Sequence, residues 1–177
     1  MSSDILIVRA KPNPPSENPD EVSYIDPQYR KAGEWFDIKN FSVMAFPLKG
    51  IEIYTVEYEK DGPVWKKVFA FKDDEKIKGR KVIRIHSGPP VPLEGMESDD
   101  KGIIEHNFVK IPIIDKHYFM GDGYVLSNSQ MDKIAIYDSV QKKWLDEVYY
   151  DRFPGKDAIL ERDENKLVEM ESKEIDY

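Results

Sequence analysis

Three histidines, His86, His106 and His117, are the side chains of this sequence that ordinarily exchange protons near neutral pH. A zinc site would need imidazoles and carboxylates converging on one point. His106 and His117, with Glu105 and Asp115 beside them, are the group that could converge. The His-Glu-x-x-His spacing of a helical zinc site is absent, so all three are read as surface or loop histidines. Two acidic clusters, Asp73-Asp74-Glu75 and Glu97-Ser98-Asp99-Asp100, lack the alternating oxygen ligands around a glycine turn that calcium requires, and they read as solvated charged loops. There is no cysteine, no Gly-x-Ser-x-Gly elbow, no Ser-x-x-Lys and no dinucleotide fingerprint. With 34 Asp and Glu, no particular carboxylate pair stands out as an acid–base couple. The sequence therefore predicts no catalytic residue, no metal and no cofactor, and a protein that is not an enzyme.

The aromatic residues suggest binding instead. Trp35, Trp65 and Trp144 fall in predicted strands, where core packing is the default. Tyr24, Tyr29, Tyr118 and Phe119 fall in two long predicted loops, near Pro89, Pro90 and Pro92. Large aromatics on loops either tuck under the chain or present a contact surface. The expectation is that they and the prolines form a protein-binding face, an idea that burial of all four aromatics would defeat.

The elements that must carry these residues are almost all strands. Ile5 to Val8 is apolar and strand-length, and Lys11-Pro12-Asn13-Pro14-Pro15 ends it. Trp35 to Asn40 is a second strand. Ile51 to Tyr58 and Val64 to Phe71 flank the turn Lys60-Asp61-Gly62-Pro63 and make the clearest hairpin. Lys81 to His86, Tyr124 to Leu126, Lys133 to Asp138 and Trp144 to Tyr150 complete the set. Many short strands with frequent turn signals predict an all-β, two-sheet sandwich of about seven to nine strands. One domain is expected over 1–155, with insertions at about 12–33 and 89–119. A charged acidic tail, with room for a short helix, is expected over 156–177.

Composition narrows the partners. The chain has 177 residues, and 26 basic against 34 acidic side chains give a formal charge of −8. Nucleic-acid binding draws on Lys and Arg, and the one basic stretch, Lys76 to Arg84, has no aromatic residue interleaved to stack on bases. Nucleic acid is therefore not an expected partner. No run approaches the ~18 apolar residues of a membrane helix, and the N-terminus lacks the basic start and apolar run of a secretory signal. The expectation is a cytoplasmic protein with no membrane partner, or a secreted one if a leader has been removed.

Read in order, several motifs resemble the lamin-tail domain, an immunoglobulin-like β-sandwich. Glu34-Trp35-Phe36-Asp37-Ile38-Lys39-Asn40 is similar to that family's opening strand. Leu48-Lys49-Gly50-Ile51 resembles its Leu-x-Gly-Trp turn, with Ile51 in place of the Trp. Ile77 to Ile85 with Ser87-Gly88 resembles its Gly-x-x-Val-x-Val strand. Leu126-Ser127-Asn128 with Asp132 to Asp138 resembles its penultimate hairpin, and Leu145 to Tyr150 its closing strand. The resemblance spans most of Asp4 to Asp151, interrupted by long stretches at Pro12–Gly33 and Pro89–Phe119. It implies an immunoglobulin-like fold and a non-catalytic binding or scaffolding module with a protein partner. Homodimerisation through an exposed sheet edge is compatible with it. The rival readings are a metal-dependent enzyme or metal-binding protein built on 89–119, a nucleic-acid-binding lamin tail, and a carbohydrate-binding sandwich, which exposed Trp on a concave face would favour.

Overall fold

A computed structural model describes residues 3–14, 19–20 and 26–169. The fold is all-β and sandwich-like, but its pairing differs from two separate sheets. The strands are β1 (Ile5–Lys11), β2 (Trp35–Asn40), β3 (Phe46–Pro47), β4 (Ile51–Glu59), β5 (Gly62–Ala70), β6 (Lys76–Ile77) and β7 (Val82–His86). They continue as β8 (Ile103–His106), β9 (Val109–Pro112), β10 (Lys116–Phe119), β11 (Asp132–Asp138), β12 (Lys143–Tyr150), β13 (Leu160–Asp163) and β14 (Lys166–Glu169). Two short helices, α1 (Pro27–Arg30) and α2 (Ser98–Lys101), lie in the loops.

Ten strands form one curled sheet in the order β10-β7-β2-β1-β13-β14-β12-β11-β4-β5. The core lies between its two ends. Ile5, Ile7, Phe36, Ile38, Ile83 and Ile85 from one end meet Ile51, Ile53, Ile134, Ile136 and Val148 from the other. Each set is spaced by two within its strand, as a half-buried sheet requires.

The link between the ends corrects the expectation for the C-terminal segment. Residues 160–169 form a hairpin, neither helix nor solvated tail, in which Leu160 and Leu167 are buried. β13 pairs with β1 and β14 with β12, so the hairpin closes the gap between the two ends of the sheet. Each of these strands sends a single large apolar residue fully into the core, a weak signal among so many charges. Residues 170–177 lie outside the described residues.

Two loop expectations also change. Tyr124 to Leu126 is not a strand. Its amides donate to a carboxylate, with Val125 N at 2.9 Å and Leu126 N at 3.2 Å from Glu34 Oε2. The interruption at 89–119 ends earlier than expected, because Lys116–Phe119 joins the sheet as a parallel edge strand on β7.

The two glycines singled out by the motifs serve different needs. Gly50 has φ +77°, which favours glycine. Gly79 is required for space rather than for a positive φ, since a Cβ there would lie 2.1 Å from the Val43 carbonyl oxygen. Asn40 ends β2 as the sequence suggested. Its Nδ2 donates to the carbonyls of Met44 (2.8 Å) and Ile77 (3.0 Å), while its Oδ1 accepts from Ser42 N (2.9 Å). Asn40→Ala leaves these groups unpaired and is expected to cost about 1–3 kcal/mol, read as a lowered urea midpoint with an unchanged slope.

Candidate functional site

The curled sheet has two outward surfaces of distinct chemistry. The first lies on β1, β2, β7 and β10, and a bulge creates it. In β1, Ile5 and Ile7 face the core, and strict alternation would send Arg9 and Lys11 there too. The register slips between Ile7 and Arg9, so Arg9 sits opposite Asp37 and Lys11 opposite Trp35, while Ala10 takes the core position opposite Phe36. Pairing with β7 and β10 extends these into two cross-strand rows. One row is Arg9, Asp37, Arg84 and His117; the other is Lys11, Trp35, His86 and Phe119.

Both rows are tightly bonded. Asp37 receives Arg84 Nε at 2.7 Å, Arg84 Nη2 at 2.8 Å and Arg9 Nε at 3.0 Å. Burial alone would raise this carboxyl, but Arg84 and then Arg9 hold it below the usual range. The Arg84 guanidinium also lies 3.4 Å from the centroid of the Trp35 ring. His86 Nδ1 donates to the Ala32 carbonyl at 2.6 Å, and its Nε2 lies 2.7 Å from His117 Nδ1. A carbonyl only accepts, so the His86 proton sits on Nδ1 and, in the neutral ring, Nε2 is an acceptor. Burial, with Arg84 close by, pushes both imidazoles down, His86 to about 3 and His117 to about 4.

The segment 93–115 covers these rows. Asp100 Oδ1 accepts from Lys11 Nζ at 2.6 Å and from Trp35 Nε1 at 2.8 Å. Asp100 is thus buried, contrary to the solvated loop expected for Glu97-Ser98-Asp99-Asp100. Among the described residues no buried side-chain nitrogen or oxygen lacks a hydrogen-bond partner. The His106–His117 cluster does not form, because His106 is exposed in the β8–β9 hairpin while His117 pairs with His86. Among the described residues no three His, Asp or Glu side chains are grouped to hold a metal ion.

The second surface lies at the opposite end, on β4, β5, β11 and β12. Tyr54, Tyr137, Trp144 and Trp65 form a continuous aromatic cluster. The ring centroids of Trp144 lie 4.7 Å from Tyr137, 5.3 Å from Tyr54 and 5.1 Å from Trp65. Cross-strand aromatic pairs of this kind stabilise a sheet. These remain open to solvent, however, with Trp144 48% and Trp65 37% exposed. A cleft of about 170 Å³ continues the patch, lined by Val56, Tyr58, Pro63, Val64, Trp65, Met131 and Lys133. Its flanking charges are paired, Lys67 with Glu52 at 3.3 Å and Lys133 with Glu147 at 3.8 Å.

The binding face expected from Tyr24, Tyr29, Tyr118, Phe119, Pro89 and Pro90 does not assemble as one surface. Tyr118 and Phe119 are consecutive in β10 and point to opposite faces. Tyr118 is a core residue packed against Phe69 and Phe71, and Phe119 stacks on His86 with centroids 4.9 Å apart. Tyr29 is half-buried with its hydroxyl tucked against Gly95, and Pro89 and Pro90 are exposed. Tyr24 lies outside the described residues. Sequence reasoning assigned Trp65 and Trp144 to the core. The available signal was the composition of β5, where Val64-Trp65-Lys66-Lys67 places charges beside the tryptophan.

Other clefts and charges carry less. A cleft of about 500 Å³ beside Val8, Lys39, Phe41 and Ile113 is flanked by guanidiniums that already hold carboxylates. These are Arg9 on Asp37 and Arg162 on Asp146, the latter at 2.6 and 2.9 Å. In the basic stretch, Lys76, Lys78, Arg80 and Lys81 are exposed whereas Arg84 is spent on Asp37. No helix among the described residues is long and apolar enough to cross a membrane. No protein-family model matches the chain, and no curated protein is significantly similar to it.

Proposed function

We propose that the chain is a non-catalytic recognition module of the lamin-tail, immunoglobulin-like kind that binds a protein partner through the aromatic face of β4, β5, β11 and β12. The observation that carries this reading is the cluster of exposed Trp65 and Trp144 with half-buried Tyr54 and Tyr137, beside the Tyr58–Met131 cleft. Trp, Tyr and Met are enriched in the buried centres of protein interfaces, and contiguous exposed aromatic area is uncommon on a surface without a partner. The family motifs supply the scaffold reading: Glu34–Asn40 forms the end of a loop and β2, Leu48–Ile51 the turn into β4, and Leu145–Tyr150 most of β12. Self-pairing through the edge strand β5 is disfavoured, because Pro63 lacks an amide donor and Lys66 and Lys67 place like charges along that edge.

A second reading, a neutral glycan stacked on the tryptophans, draws on the self-paired rim charges. Capture from lysate with the full chain, beside a Trp65→Ala/Trp144→Ala variant of equal thermal stability, separates the readings. A protein retained by the first and lost at least tenfold with the second supports the proposal. Equal retention overturns it, and capture of oligosaccharide alone favours the glycan.

A further inference from the structure

Residues 93–115 lie over the outer rows of β1, β2, β7 and β10 like a strap. Beneath them the two rows hold three cations, Arg9, Lys11 and Arg84, against the single carboxylate of Asp37, and Asp37 is taken by the two guanidiniums. Overall the chain is strongly acidic, so this face is opposite in sign to the rest of the molecule. What neutralises Lys11 is Asp100 at 2.6 Å, with the half-exposed Asp157 at 2.9 Å on the ammonium's other side. The strap meets the face as a ligand meets a receptor. Asp100 accepts from Lys11 and from the indole N–H of Trp35, and the backbone carbonyls of Asp99 and Asp100 accept from Arg84 Nη1.

The strap's apolar anchorage is slight. Between residues 93 and 115 the buried residues are Met96, Asp100, Gly102 and Ile114, so two apolar side chains anchor the segment. The β8–β9 hairpin pairs only with itself and projects Phe108 and Val109 into solvent. Hydrophobic burial scales with apolar area removed from water, so polar contacts at Asp99 and Asp100 hold a large share of this segment. Segments with few buried apolar contacts are the ones that open locally.

We propose that the Lys11–Trp35–Arg84 face is a receptor for an acidic peptide segment, occupied in cis by residues 97–101 and open to an acidic segment of another protein when the strap lifts. The fixed indole N–H, the ammonium and the guanidinium select a carboxylate followed by backbone carbonyls, which distinguishes this surface from the neutral aromatic face. Failure here leaves the function proposed above untouched, since the two surfaces share no residue.

The test uses the full chain and two synthetic peptides: the eight residues 95–102, and the same peptide with both aspartates replaced by asparagine. Asp100→Asn keeps the shape of the strap while weakening its hold on Lys11. The variant is expected to bind the acidic peptide at least about tenfold more tightly than the wild type, because the internal competitor is weakened. It is expected not to bind the asparagine peptide. Equal or undetectable binding of the acidic peptide by folded variant and wild type overturns the proposal. Should the variant fail to fold, hydrogen exchange on the wild type decides. Amides 97–104 must exchange faster than those of β1, β2 and β7, and faster still with the acidic peptide present. Strap amides protected as strongly as the sheet overturn the proposal equally.

Discussion

Asp37→Ala is expected to lower the unfolding free energy by about 3–5 kcal/mol, the cost of removing one partner from a buried ionic group. Asp37 is fully buried, and its two oxygens hold Arg9 and Arg84, themselves almost wholly buried. Without the carboxylate, two guanidiniums are left close together in a layer that water does not reach. The layer would have to open or distort to hydrate them, and the strap that lies on Arg84 would go with it. Replacing Arg9, Asp37 and Arg84 together by apolar residues of similar size is expected to cost much less than Asp37→Ala alone, because the penalty comes from uncompensated charge. Urea unfolding of the three proteins checks this. A loss below about 1 kcal/mol for Asp37→Ala would contradict the geometry of the cluster.

The second large effect is on pH. In the folded chain His86 and His117 stay neutral down to about 3 and about 4, whereas in the unfolded chain imidazole takes up a proton near 6.5. Between those values the unfolded state binds more protons, so stability falls as pH falls. The slope is about 1.4 kcal/mol per pH unit for a fully buried group, and less for part-exposed His117. Glu34 acts in the opposite sense. Burial pushes its carboxyl up to about 7, against the hydrogen bonds from Ser87 Oγ and the amides of Val125 and Leu126. The folded chain then keeps a proton that the unfolded chain has released, so stability falls as pH rises from 4.5 to about 7. Burial also raises Asp132, which adds to this trend at the lower end. The two trends place maximum stability near pH 6.5. His117→Gln is expected to reduce the acid slope by up to about one proton per molecule, and Glu34→Gln to remove the decline toward pH 7. Urea midpoints from pH 4 to 8 measure both, and an unchanged acid slope in His117→Gln contradicts the buried pair.

The strands that alternate cleanly were legible in the sequence. Trp35–Asn40, Ile51–Tyr58 and Lys133–Asp138 show period two or β-branched density, and the structure places strands there within a residue or so. What escaped the sequence depends on long-range partners. The slip at Val8 leaves no local mark, yet it moves Arg9 and Lys11 from the core face to the outer face and so decides where the ionic layer forms. Leu160 and Leu167 lie in a charge-dense stretch and become core residues only once β13 and β14 fill the gap between β1 and β12. Asp100 reads as a solvated acid until Lys11 and Trp35, distant in sequence, are brought beneath it. The tryptophans were misplaced for a related reason. A strand's two faces can be told apart by alternation, but the outer face of β4, β5, β11 and β12 is aromatic as well, so alternation gave no warning there.

Site-directed photo-crosslinking reads out recognition through the aromatic face. A photoreactive phenylalanine analogue would be placed at Trp144 in one protein and, in another, at Phe153, an exposed aromatic outside the cluster. Each would be irradiated in lysate. One discrete crosslinked protein is expected from position 144, absent from position 153 and competed away by excess unlabelled wild-type chain. Crosslinks that are equal at the two positions, or none at position 144 from a folded protein, would contradict recognition through this face.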